Sequence, residues 1–138
     1  MKPIGSQPNS PNAIVFWIIW FAIFNGLFIM QFLAAGGIPK GSNDGDAPVG
    51  IIGIAALLAV VSVAIRFLLI PKVKDPAKLL PVMVLGLAMA ESIGIIGMFA
   101  VGKEFPETRI ALFVTSVSAV TVFAPVYVHS LSERQKMH

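Results

Sequence analysis

Leu79–Val101, LLPVMVLGLAMAESIGIIGMFAV, is a run of 23 residues interrupted by a single charge, Glu91. As a helix rising 1.5 Å per residue it extends about 34 Å, enough to cross the roughly 30 Å hydrocarbon core of a bilayer. Three more runs of this kind occur: Ala13–Ala35, Val49–Ile70 and Ile110–Val128. The linkers between them, GGIPKGSNDGDAP, PKVKDPAK and GKEFPET, concentrate helix breakers and charge. The fold class is therefore all-α integral membrane: a four-transmembrane-helix bundle over 13–128, with tails at 1–12 and 129–138.

Composition leads the same way. Hydrophobic residues make up 57% and charged residues 12%, the latter about half the usual soluble share of roughly 25%. The net charge of +3 does not indicate nucleic acid, because the basic residues follow membrane topology and form no patch interleaved with aromatics. With no cysteine, disulfides, iron–sulfur clusters, thiolate zinc sites and cysteine nucleophiles are all excluded. The two histidines, His129 and His138, lie beyond the apolar runs, which argues against a haem held between helices. No nucleophile–base constellation, phosphate loop or metal-spaced pair is present. The expectation is a non-enzyme with no cofactor and no metal.

The first run has only Lys2 before it and Leu33-Ala34-Ala35-Gly36 near its end, a pattern that a signal peptide shares. Its length exceeds a signal core of about 7–15 residues, so retention as a span is expected. Lys2, Lys72, Lys74, Lys78, Arg134 and Lys136 fall on one side of the alternating topology, and Lys40, Lys103 and Arg109 on the other. The positive-inside rule then puts both termini in the cytoplasm, as a multi-pass protein of the plasma membrane. Trp17, Trp20 and Tyr127 lie toward the cytoplasmic ends of their helices, where interfacial aromatics are favoured. Pro48, Pro71 and Pro106 mark span edges, Pro81 sits in the first turn of span three, and Pro125 should kink span four.

Of the charged residues, two fall inside the apolar runs: Arg66 and Glu91. Glu91 is mid-span, too deep to reach either interface, and such carboxyls face the bundle and take a partner. Arg66 snorkels on one reading. On another it pairs with Glu91, directly or through water, since side chains lean toward their helix N-terminus and these two lean toward each other across roughly 10 Å of axial separation. Asn25 has the same depth as Glu91 and is a further candidate neighbour, as are Ser92, Thr115, Ser116, Ser118 and Thr121. Serine and threonine in membrane helices more often bond their own backbone. Gly86-xxx-Ala90-xxx-Gly94, followed by Gly97, and Ala22-xxx-Gly26 are small-residue stripes suited to close helix approach. The loop carrying Asn43, Asp44 and Asp46 lacks calcium-loop spacing and reads as a flexible turn.

Residues 85–102, LGLAMAESIGIIGMFAVG, resemble the carboxylate-bearing helix of rotary ATP synthase c subunits. That resemblance implies that Glu91 binds a proton or cation reversibly. The preceding helix departs from the family: it has only Gly50 and Gly53 in place of a dense glycine repeat, it carries Arg66, and two further helices flank the hairpin. Two readings stay open. One is a structural, accessory or assembly protein of a membrane complex; the other is a proton- or cation-linked carrier. Beyond the lipid bilayer itself, a second copy or other membrane subunits are the expected partners.

Overall fold

The computed structural model describes residues 12–128. Both tails, with Lys2, His129, Arg134, Lys136 and His138, lie outside the described residues. Four α-helices form: α1 (Ala13–Ile29), α2 (Val49–Ala64), α3 (Pro76–Ile95) and α4 (Pro106–Val122). The first three continue through one wider turn, over Met30–Ala34, Ile65–Leu69 and Ile96–Ala100. Each such turn is closed by a bond across five residues, as from Val101 N–H to Ile96 O. The resulting apolar lengths are Ala13–Ala34, Val49–Lys72, Ala77–Ala100 and Pro106–Val128. Each is long and apolar enough to cross a membrane, and the chain is a multi-pass all-α protein.

Local chemistry sets the helix ends. Asn12 caps α1, and Asp75 accepts from Ala77 N–H at 2.9 Å with Pro76 at the first helical position. This start places Pro81 inside α3, not in its first turn, so the Ala77 carbonyl loses its usual donor. α4 begins at Pro106, four residues before the apolar run, which brings Arg109 into the helix. Its regular part stops at Val122 because Pro125 has no N–H; Ala124 N–H turns back to Thr121 O and Val126 N–H to Ala124 O. Gly36 and Gly37 take positive φ (80° and 92°), turning the chain sharply out of the first span.

α3 and α4 form the central pair, and α1 and α2 each pack against both of them. The inner stripe of the third span, Leu79, Met83, Leu87, Ala90 and Met98, shares a core with Phe16 and Leu27 of α1, Ile65 after α2, and Val120 and Phe123, while Ile93 packs in a second cluster with Ala55, Val101 and Leu112. The outward faces are just as apolar. Phe21, Leu33, Leu57, Val60, Phe67 and Val126 are exposed, a surface that suits lipid and not water. Glycines permit the close approach at the centre. A Cβ on Gly97 would lie 2.8 Å from Leu112 Cβ, one on Gly94 2.9 Å from Ser116 Oγ, and one on Gly86 would strike the Phe123 ring. The Ala22–Gly26 stripe makes no such approach, because nothing lies within 4 Å of a Cβ built on Gly26.

Candidate functional site

Each break in helical hydrogen bonding leaves a carbonyl without its donor, and the bundle's two buried or half-buried arginines go to such places. At the end of the third span, Val101 N–H is drawn to Ile96 O, which strands Gly97 O. Arg109 repairs this from α4: Nε donates to Gly97 O at 3.3 Å and Nη2 to Met98 O at 3.1 Å. The side chain is only 9% exposed. At the opposite end of the bundle, the Pro125 break strands Val122 O, and Arg66 Nε donates to it at 2.8 Å. The Arg66 guanidinium also lies 4.3 Å from the centre of the Tyr127 ring and 5.6 Å from that of Phe67. Both guanidinium groups thus meet the carbonyl end of another helix, where positive charge is favoured.

Asn43 performs the converse task. Its side-chain oxygen accepts from Glu107 N–H (3.1 Å) and Thr108 N–H (3.3 Å), and its Nδ2 donates to Thr108 Oγ1. It is a cap for α4 supplied from the first linker, and Asp44 N–H adds a bond to Glu104 O. The linker read as a flexible turn is therefore tied to the start of α4.

Hydroxyls divide into two groups. Ser92, Thr115 and Thr121 bond carbonyls one turn back in their own helices. Ser116 donates to Ala90 O at 2.7 Å and Ser62 to Gly86 O at 3.2 Å, each joining two helices while fully buried. Trp20 Nε1 joins α1 to Val120 O at 2.8 Å.

The three intramembrane residues singled out from the sequence are not brought together. Arg66 turns into the α4 break, on the flank of α3 where Ile65 and Ser62 meet Gly86. Asn25 Nδ2 bonds Phe21 O at 2.8 Å. It also lies about half a turn around α1 from Phe16 and Leu27, on the far side from the core. Glu91 stands on the rim of α3. Leu87, Gly94 and Met98 on one side of it are buried; Ala88 and Ile95 on the other are exposed. Its flank is the one where Leu27 of α1 reaches Gly94, so α3 itself lies between Glu91 and Arg66. Half-buried, Glu91 makes no hydrogen bond or ion pair among the described residues.

Arg109, Asn43 and Gln31 were not anticipated. Gln31, 3% exposed, bonds Gly37 O through Nε2 and receives Gly37 N–H at its own carbonyl. Its signal was available, a second amide besides Asn25 in the first apolar run. Clefts also open among the described residues. One of about 440 Å³ lies between the ends of the first and third spans and the start of α4, and it includes Lys103 and Arg109. Another, about 240 Å³, is an apolar groove between α2 and α4. Glu91 lines neither. Among the described residues no three histidine or carboxylate side chains gather to hold a metal ion. Compared with known protein families, curated proteins and solved structures, the chain matches none.

Proposed function

We propose that this protein is a non-catalytic assembly or accessory subunit of a membrane complex, with Glu91 as the intramembrane contact it offers a partner. The observation that supports this is the contrast in how polar groups are used. Arg66, Arg109, Asn43, Ser62, Ser116 and Trp20 are all engaged in joining one segment to another. Glu91 has no hydrogen-bond or ion-pair partner among the described residues and stands half-buried on the rim of α3 at mid-span. A carboxyl at that depth is expensive in lipid alone, and a donor on a neighbouring helix would relieve the penalty. A second copy or another subunit is the partner class. Both termini in the cytoplasm and residence in the plasma membrane belong to the same proposal, on the distribution of lysine and arginine.

A carrier is the second reading, and a specific observation favours it: Glu91 is not sealed against Arg66 or Asn25. The likeness of residues 85–102 to a c-subunit helix supports it too. Glu91→Gln separates the two. An assembly contact predicts that the variant folds with an unchanged melting temperature in detergent yet runs as a smaller species on native gels of solubilised membranes. A carrier predicts an unchanged complex and the loss of pH-gradient-driven transport in proteoliposomes.

A further inference from the structure

The cleft of about 440 Å³ at the Pro106 end of the bundle has the makings of a ligand site. Its walls combine Ala34, Ala35 and Gly36 at the end of the first span with Met98, Phe99 and Val101 at the end of the third. Two cations line it, Lys103 and Arg109, and no carboxylate does. Arg109 is held rigidly: α4 positions it, burial encloses it, and two carbonyls fix its Nε and Nη2. The same two bonds engage Nε and Nη2, and Nη1 makes no hydrogen bond among the described residues. The α1 wall is fixed as well, because the Gln31–Gly37 exchange of hydrogen bonds pins the turn at Gly36.

We propose that this cleft binds a phosphate-type oxyanion, with Arg109 and Lys103 as its cationic contacts. A guanidinium with a preset plane and a flexible ammonium make a matched pair for an anion with several oxygens. The position suits a lipid headgroup. The cleft is at the level where three spans end, and Phe99 and Leu33, both exposed, flank it with apolar surface on which an acyl chain can lie. Free phosphate carries the same oxyanion chemistry. Glu104, Asp44 and Glu107 belong to the same end of the bundle but lie outside the lining. The Glu104 carboxylate packs against Gly102, itself a lining residue, so the attraction of the cleft rests on Arg109 and Lys103 outweighing one adjacent acid.

The test uses the full chain in mild detergent and measures binding of short-chain phosphatidylglycerol, short-chain phosphatidylcholine and inorganic phosphate. The expected result is preferential binding of phosphatidylglycerol over phosphatidylcholine, weakened about tenfold by Lys103→Glu and unaffected by Lys72→Glu at the other end of the bundle. Lys103 is exposed, so its replacement leaves the fold intact; Arg109→Lys gives a second reading with the charge retained and the fork geometry lost. Saturable phosphate binding that Lys103→Glu weakens, with no preference between the lipids, assigns the site to the free ion. Equal binding of both lipids together with no phosphate binding, or binding insensitive to Lys103→Glu, overturns the proposal.

Discussion

Two strips of α3 lie side by side and are built on opposite terms. Along the inner strip, Gly86, Ala90, Gly94 and Gly97 let α1, α2 and α4 approach until no added methyl fits, and their exposed carbonyls are taken up by Ser62, Ser116 and Arg109. Along the rim, Glu91 is half-buried and has no polar partner among the described residues. In lipid, burial of apolar area gives little drive to bring helices together, so close packing and interhelical hydrogen bonds must supply it. The inner strip concentrates both. The rim carries a carboxyl that makes no hydrogen bond or ion pair among the described residues, which is why it is the better place to look for a partner.

Gly97→Val attacks the inner strip where it is tightest, against Leu112 Cβ and Arg109 O. It should cost about 3 kcal/mol or more, with loss of cooperative thermal unfolding followed by circular dichroism in detergent. Gly26→Ala, where nothing lies within 4 Å, should leave the transition unmoved or raise it slightly. Should both variants behave alike, the distinction between packed and open glycines fails.

The two arginines sharpen the comparison at the helix ends. Arg109→Met strands two carbonyls in a buried place and should destabilise by about 2–4 kcal/mol. Arg66→Met strands one carbonyl at a partly open site, so about 1 kcal/mol is expected in the same unfolding assay. An equal loss for both would show that burial of the guanidinium is not what sets its contribution. The smallest effect is expected from Asn43→Ala, about 1 kcal/mol or less, with faster amide exchange confined to the first turn of α4.

The four helices were legible because length and hydropathy depend on composition, which the sequence carries directly. Depth was legible for the same reason: counting residues puts Glu91 and Asn25 near mid-span. Rotation about the helix axis was not. These helices are apolar on every face, so no polar stripe tells the inward side from the outward one. The expected approach of Arg66 to Glu91 came from depth and lean alone, and α3 lies between them. Asn25, expected beside Glu91, turns to its own backbone on the outer side of α1. Arg109 escaped notice because the apolar run begins at Ile110, although Pro106 marks a good first helical position four residues earlier. Asn43 had no local signal at all; the helix it caps begins more than sixty residues later in the chain. On α3 the stripe of Gly86, Ala90, Gly94 and Gly97 was readable, since small residues at that spacing point to close approach. The similar Ala22–Gly26 pair shows that spacing alone does not choose which stripes are used.

Carbodiimide labelling of Glu91 decides most directly between a docking carboxyl and a working one. Native membranes and the purified monomer are to be labelled side by side across a range of pH, with modification at Glu91 read by mass spectrometry. Docking predicts that Glu91 is shielded in the native membrane and becomes reactive when the protein is isolated. Equal reactivity in both, titrating with pH in the native membrane, would contradict the assembly role and establish an accessible, proton-exchanging carboxyl.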